Sequence, residues 1–168
     1  MKKALLVLGA VLLVVLPGAC GDGGGSEEVV PGPLDISGQY QAVYETDSVE
    51  CTISGVTETF PVGGQWNFTI AQDNTDLTLT MEAGLAYQGV ILSGGDFAVT
   101  ATAGGTYATG GVTTTVFITY VFSGTYQDDG IHGNITEKDV YQNAAMGDYQ
   151  CYVDYKVWAV RDGVTPSI

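Results

Sequence analysis

The sequence predicts an all-β domain over residues 35–168, an antiparallel up-and-down meander closed into a barrel of eight to ten strands. From residue 36 onward apolar and polar residues alternate, as in segments 66–70 and 77–81, which is the period of a strand with one buried face. Turn clusters such as 72–76 recur every 8–15 residues, and no convincing helical stretch interrupts them. Short connections favour strands that are neighbours in chain order, and closure removes exposed strand edges. A two-sheet β-sandwich is the alternative.

Nine segments carry this strand pattern: 38–46, 51–56, 66–70, 77–81, 89–93, 97–102, 112–122, 131–138 and 150–161. Their phase predicts which side chains point into the barrel, namely Tyr40, Ala42, Tyr44, Trp66, Phe68, Ile70, Leu77, Leu79, Met81, Phe97, Val99, Ala101, Val116, Ile118, Tyr120, Phe122, Ile131, Ile135, Val153, Tyr155, Val157 and Ala159. The glycines at 104, 105, 110 and 111 are interpreted as one hairpin turn region, because neither a lysine nor a helix follows them as in a phosphate-binding loop.

Residues 1–19 have the order of a cleaved secretory signal. A basic start precedes an unbroken run of apolar or small residues over 4–16, which is shorter than the about 20 residues of a membrane-spanning helix. The residues Gly18, Ala19 and Cys20 that follow resemble the lipobox of bacterial lipoproteins. In that family a lipid is attached to the cysteine thiol, and cleavage leaves that cysteine as the first residue. The resemblance therefore implies lipidation of Cys20.

Residues 20–34 are predicted to be the lipidated cysteine and a flexible tether. Glycine, serine and acidic residues dominate 21–28, and prolines at 31 and 33 stiffen the approach to the domain. As a flexible coil, segment 21–34 spans roughly 20 Å, which holds a domain clear of lipid head groups. We expect an exported protein, lipid-anchored at the cell envelope. In the sorting rule of lipoproteins from enteric bacteria, a residue other than aspartate after the lipidated cysteine permits export to the outer membrane. Gly21 follows the cysteine here, so the resemblance implies the outer membrane where the organism has one.

The charge balance argues against two classes of partner. The chain has 19 acidic and five basic residues and a net charge of −14, and removal of Lys2 and Lys3 with the signal takes it to −16. A field of that sign repels nucleic acid and anionic membrane surfaces. No nucleic-acid partner is therefore expected, and the lipid is the only expected attachment to the membrane. The sequence identifies no protein partner.

Two cysteines remain once Cys20 is assigned to the lipid. Cys51 and Cys151 are then a pair in an oxidising compartment, where a disulfide is expected. Closing a loop of about 100 residues stabilises a fold by on the order of 4–5 kcal/mol in the chain-entropy model. There is no C-x-x-C motif, so neither redox chemistry nor a zinc site is expected.

Residues that could carry catalysis are few, and we expect no enzyme, no cofactor and no metal. The single histidine, His132, shares its strand face with Asn134 and Thr136 and is expected in solvent. A catalytic dyad or triad would have to be built around that one residue. Acidic residues cluster near turns at 45–50 and 128–129, where carboxylates hydrogen-bond local backbone. No calcium-loop motif accompanies them.

The chain is rich in aromatic residues, with ten tyrosines and two tryptophans. A buried phenol needs a hydrogen-bond partner, so the inward tyrosines have two interpretations. In one they are core, satisfied by each other, by Arg161 or by buried water. In the other they line a partly wet pocket for a small apolar or amphipathic ligand, with Tyr44, Trp66, Phe68, Tyr120 and Tyr155 as the expected lining. The corresponding functions are a ligand-binding envelope lipoprotein, or a structural and interaction lipoprotein with a filled core. Trp158, out of phase with the inward set, is expected to mark an exposed contact patch.

The two ends of the domain carry one further pattern. Gly38 and Tyr40 open the first strand, and Arg161 ends the last one in phase with Ala159. This arrangement resembles lipocalins and their relatives, whose Gly-x-Trp strand packs its Trp under an Arg from the end of the barrel; Tyr stands here in place of Trp. The resemblance implies barrel closure through Arg161 against the ring of Tyr40. It implies no particular ligand.

Overall fold

Eight antiparallel strands form a closed barrel in a computed structural model that describes residues 32–52, 60–128, 130–143, 145 and 147–162. Each strand pairs with the next one in the chain, and the last pairs back onto the first. The strands are β1 Gly38–Cys51, β2 Gly63–Asp73, β3 Asp76–Met81, β4 Ala86–Ile91, β5 Asp96–Thr109, β6 Val112–Gln127, β7 Gly130–Asn143 and β8 Tyr149–Arg161. The predicted up-and-down barrel is confirmed. The sandwich alternative is wrong, because β1 is hydrogen-bonded to both β2 and β8.

Two features of the predicted strand pattern differ from the structure in more than the exact ends of a strand. The separate strand expected at 51–56 is not a described element, because Cys51 is the last residue of β1 and residues 53–59 lie outside the described part of the chain. The glycines at 104 and 105 lie inside β5, where they pair with Phe117 and Val116 of β6. Only Gly110 and Gly111 turn the chain, both with positive φ, as a two-residue hairpin turn requires. Pairing with β6 therefore overrides the preference of a glycine pair for a turn.

The predicted signal and lipid anchor fall on residues 1–31, which lie outside the described residues. From residue 32 the chain runs along one end of the barrel into β1. Gln72 holds it there by donating to the Leu34 carbonyl (3.1 Å) and accepting from the Ile36 amide (2.9 Å). Leu34, the last residue of the expected tether, is therefore fixed to the domain. In the part of the chain that is described, no helix is long and apolar enough to cross a membrane.

Inward-facing side chains fill most of the barrel. The residues predicted to point inward are buried or half-buried, and the core also includes Ile36, Tyr87, Ile91 and Tyr126. The barrel is unequal in height, since β3 and β4 have 6 residues each whereas β5 to β8 have 13 to 16. The long strands rise above the short ones at the end where β1 finishes. We call this the open end, and the end where β1 begins the closed end.

Arg161 seals the closed end. Its Nε lies 3.3 Å from the Tyr40 hydroxyl and its Nη2 donates to the Asp35 carbonyl at 3.0 Å. The guanidinium lies over the ring of Tyr126, 5.5 Å from the centroid. The expected contact between Arg161 and Tyr40 is made at the Tyr40 hydroxyl, and the ring under the guanidinium is that of Tyr126. The reason is that the Tyr40 ring stacks on Phe68, with centroids 5.2 Å apart and planes within 7°.

We expect Arg161→Ala to lower the free energy of unfolding by about 2 kcal/mol, because hydrogen bonds from a charged donor and a cation–π contact are lost together. Denaturant unfolding of the oxidised protein measures the change. Lys156→Ala is the matched control, since the Lys156–Asp47 ion pair lies in solvent with side chains 44% and 51% exposed and such pairs contribute little. Equal effects of the two substitutions would contradict a sealing role for Arg161.

The predicted disulfide is confirmed. Cys51 and Cys151 are bonded to each other and are direct register partners of β1 and β8 near the open end. Around the bond lies a second small core, in which Tyr141 and Tyr149 stack with centroids 4.5 Å apart and Phe60 packs against them. The disulfide therefore joins the two strands whose pairing closes the barrel, β1 and β8, near the open end.

Candidate ligand-binding site

A cavity of about 280 Å³ lies inside the open end of the barrel. Seven of the eight strands contribute to its wall, because alternation along each strand turns one side chain in two toward the axis. The lining residues are Tyr44, Pro61, Gln65, Trp66, Met81, Tyr87, Tyr120, Ile135, Glu137 and Tyr155. Tyrosine and tryptophan rings make up half of this set, and one member is a carboxylic acid.

The rings of the cavity wall form two contacting pairs and one separate indole. Tyr44 and Tyr155 meet edge to face with centroids 5.6 Å apart, and Tyr87 and Tyr120 are tilted with centroids 6.0 Å apart. The Trp66 ring lies lower, 5.0 Å from that of Phe68. Rings placed on five different strands of a closed sheet are held at fixed separations. The cavity is therefore bounded by rigid aromatic walls.

The floor of the cavity is the packed core. Phe68 is 2% exposed and lies between Tyr40, Trp66 and Phe122. The expectation that Phe68 lines the pocket therefore needs correcting. It faces inward as predicted, but its register partner across β1 is Tyr40, at the level of the closed end. The other four expected lining residues, Tyr44, Trp66, Tyr120 and Tyr155, do meet in the cavity.

Two acidic residues of β7 face the interior, and neither is among the residues that the strand pattern predicts to point inward. Glu137 lines the cavity and accepts a hydrogen bond from the Tyr155 hydroxyl, 2.7 Å from Oε2. Asp139, 3% exposed, accepts one from the Tyr141 hydroxyl at 2.9 Å. The alternation of the strand does indicate them. Ile131 and Ile135 face inward, and positions 137 and 139 follow at the same spacing of two residues.

The carboxyl group of Glu137 binds its proton unusually tightly. Burial raises its pKa from the ordinary 4.5 to about 7; the Tyr155 hydrogen bond opposes the rise, whereas the charge of Asp139 and a hydrogen bond with it support the rise. A hydrogen bond between two carboxyl groups needs a proton on one of them. Near neutral pH the cavity therefore holds a carboxyl poised between its neutral and ionised forms.

Three tyrosine hydroxyls of the cavity, those of Tyr87, Tyr120 and Tyr155, stay neutral. Burial raises the pKa of Tyr120 to about 12, and it raises the pKa of Tyr87 and Tyr155 as well. These groups remain hydrogen-bond donors and acceptors throughout the physiological range. The only polar atom of the wall that is buried without a hydrogen-bond partner among the described residues is Trp66 Nε1.

The three basic residues in the described ranges make their contacts away from the cavity. Lys138 lies over the Tyr152 ring at 5.5 Å, on the outer face of the sheet. Lys156 pairs with Asp47 in solvent, and Arg161 is at the closed end. No lysine or arginine is therefore among the residues that line the cavity.

The remaining predicted residues lie elsewhere. His132 is exposed on the outer face, as expected. Trp158 is half-buried beside its register partners Val43 and His132, so the expected exposed patch is only partial. Asp128 is in the β6–β7 turn with positive φ, and Asp129 is outside the described residues. Within those residues, no three His, Cys, Asp or Glu side chains are grouped to hold a metal ion.

The fold and the cavity define this chain as an up-and-down β-barrel with an aromatic-lined, carboxyl-bearing pocket at one end. Compared with known proteins, it matches no family model, no curated protein and no solved structure.

Proposed function

We propose that this chain is an exported lipoprotein, anchored through Cys20, whose barrel binds a small amphipathic molecule in the open-end cavity. The observation that carries the binding function is the cavity itself: rigid aromatic walls with a few convergent polar groups are the usual composition of a small-molecule site. A volume of about 280 Å³ suits a small ligand, since pockets for drug-sized ligands start at roughly that size.

The arrangement of the chain fits a tethered binding protein. Residues 32–37 approach the barrel at the closed end, where Gln72 and Arg161 hold them. The cavity is at the opposite end. Residues 32–37, which lead into β1, are therefore not among the residues that line the cavity.

A structural or interaction lipoprotein is the second candidate. The observation that favours it is the packing of the closed half, where Tyr40, Phe68, Phe122 and Ile131 are at most 2% exposed. On this alternative the open-end cavity is a wet gap between unequal strands and binds nothing. Direct ligand binding separates the two candidates.

Binding of 1-naphthol, a small neutral amphipathic fluorophore, tests the proposal. We expect saturable binding that quenches tryptophan fluorescence, because Trp66 is part of the cavity wall. Ile135→Phe places a larger side chain in the cavity wall, leaves less space for the ligand and should weaken binding at least tenfold. Val121→Phe is the matched control, since Val121 is on the outer face and 38% exposed. Absence of binding to the unaltered protein would favour the structural alternative, and equal binding to both variants would place the ligand elsewhere.

The anchor is tested separately. We expect Cys20→Ser to release the protein from membranes into the soluble fraction, because the remaining chain is strongly acidic and offers anionic lipid surfaces no attraction. Fractionation after a carbonate wash measures the release. Retention of the Cys20→Ser protein on washed membranes would rule out the lipid as the sole anchor.

A further inference from the structure

We propose that the cavity selects organic ammonium ions, with the positive charge of the ligand beside the Glu137 carboxylate and against the faces of the tyrosine rings. This inference rests on the proposed binding function and names the charge class of the ligand. The substituents of the ammonium nitrogen can be hydrocarbon or polar, and the rest of the cavity would enclose them.

Negative charge inside the barrel is the first argument. Glu137 projects from β7 into the cavity, and no lysine or arginine is among the residues that line it. An ionised carboxylate away from water is unfavourable unless a cation or several hydrogen-bond donors offset it. Glu137 has the Tyr155 hydroxyl as a donor. A bound ammonium would supply the missing positive charge.

The aromatic wall is the second argument, and it is independent of the acids. Tyr44, Trp66, Tyr87, Tyr120 and Tyr155 surround the space next to Glu137. Ring faces carry negative electrostatic potential and attract cations, most strongly where water is excluded. Several ring faces around one carboxylate form the arrangement that recognises alkylated ammonium groups.

A metal ion is a poorer fit to the same space. Calcium takes six to eight oxygen ligands, and magnesium requires near-octahedral oxygen coordination. The cavity wall offers one carboxyl group and otherwise rings, a thioether, an isoleucine, a proline and an amide. Within the described ranges, no cluster of three potential ligands occurs. An ammonium needs one carboxylate and ring faces, and this wall provides both.

The charge of the whole chain favours the same ligand class. A net charge of −14 raises the concentration of cations near the surface and repels anions. A ligand that enters the open-end cavity from solvent therefore passes through a negative electrostatic potential. Anionic amphiphiles such as fatty acids would be opposed both by the field and by Glu137.

Binding of a cation must be coupled to the protonation of Glu137. The titratable groups that face it are Asp139 on its own strand, Tyr155 on β8, Tyr120 on β6 and Tyr87 on β4. Burial raises the pKa of these three tyrosines, so they stay neutral near pH 7. A cation stabilises the ionised form and releases the proton, so cation affinity should rise as pH rises through about 7. A neutral ligand has no such dependence.

The test compares phenyltrimethylammonium with tert-butylbenzene, a neutral molecule of the same shape. At pH 8 we expect the unaltered protein to bind the cation at least tenfold more tightly than the neutral isostere, by calorimetry or competition with 1-naphthol. At pH 5.5 that preference should fall by at least threefold. Glu137→Gln should abolish the preference at pH 8 while retaining isostere binding. Glu82→Gln is the matched control, because Glu82 is exposed, hydrogen-bonds to Asn67 and does not line this cavity.

The outcomes separate this inference from the proposed function. Binding of both molecules with no preference for the cation would overturn the inference and leave the binding function standing. Binding of neither would overturn both. A preference that survives Glu137→Gln would contradict the assignment of the charge to this residue. Competitive displacement of the cation by micromolar calcium would also overturn the inference, in favour of a metal site.

Discussion

Replacing Cys51 and Cys151 together by alanine is expected to lower the free energy of unfolding by about 4–5 kcal/mol, the largest effect expected of any change in this chain. The two cysteines are separated by 100 residues, and the entropy that a cross-link removes from the unfolded chain grows with the enclosed loop. Because the bond joins β1 to β8, it also restrains the pairing that closes the barrel. Alanine is chosen because Cys151 is 0% exposed, and a serine hydroxyl there would add a separate cost.

Denaturant unfolding of the oxidised protein and of the double variant measures this difference. The unaltered protein in reductant is the internal control, and its midpoint should match that of the double variant. With typical total stabilities of about 5–15 kcal/mol, the variant is expected to remain folded but with a much lower midpoint. A loss below about 1 kcal/mol, or a reduced protein that behaves like the oxidised one, would contradict the entropic role of the bond.

The fold of this chain follows from its sequence because one period governs every strand. Segments such as 66–70 and 77–81 alternate cleanly, and short turns leave each strand next to its predecessor. Closure then follows from the pairing of β8 with β1. The pattern misplaces the turn at Gly104 and Gly105 because glycine is common both in turns and where strands pair closely. Only the cross-strand partner distinguishes the two environments, and local sequence does not contain it.

The candidate site is predictable only in part, and for a different physical reason. The strand period assigns a side chain to a face of the sheet, but not to a level along the barrel axis. Phe68 and Trp66 share a face, yet Phe68 belongs to the core and Trp66 to the cavity wall. Their levels depend on the shear of the barrel and on the unequal strand lengths, which pairing determines. Tyr87 was missed because β4 begins at Ala86, three residues before the apolar run at 89–93 suggests.

Glu137 was missed because the pattern was interpreted with the rule that charged residues face water. That rule is statistical, and an exception to it is informative. Glu137 and Asp139 occupy the inward phase of β7 at the cost of desolvation. In a soluble barrel with no functional demand, an apolar side chain at position 137 would be more stable. A residue that opposes folding in this way is a marker for a binding role.

The second large effect follows from that conflict: Glu137→Gln is expected to stabilise the protein at pH 8 by about 2 kcal/mol. The pKa of Glu137 is raised in the folded state, to about 7 from 4.5. Its contribution to stability is therefore fully present below pH 4.5 and is lost as pH rises through 7. The rise in the pKa of Glu137 corresponds to about 3 kcal/mol in the free energy of unfolding. Because the side chain contacts solvent through the cavity mouth, we expect a smaller difference of about 2 kcal/mol. Glutamine has the same shape and no charge to desolvate.

Urea unfolding at pH 4.5, 6 and 8 measures this prediction. The unaltered protein should lose stability relative to Glu137→Gln across that range, with the two nearly equal at pH 4.5, where the glutamate is protonated in the folded state. Glu82→Gln, an exposed control on the outer surface, should track the unaltered protein at every pH. A ligand that pairs with the carboxylate should narrow this difference: saturating phenyltrimethylammonium at pH 8 should stabilise the unaltered protein more than Glu137→Gln, by at least about 1.4 kcal/mol for a tenfold difference in affinity. If the two proteins respond to pH in parallel, Glu137 is solvated in the folded state, and the physical basis for a cation site in this cavity is removed.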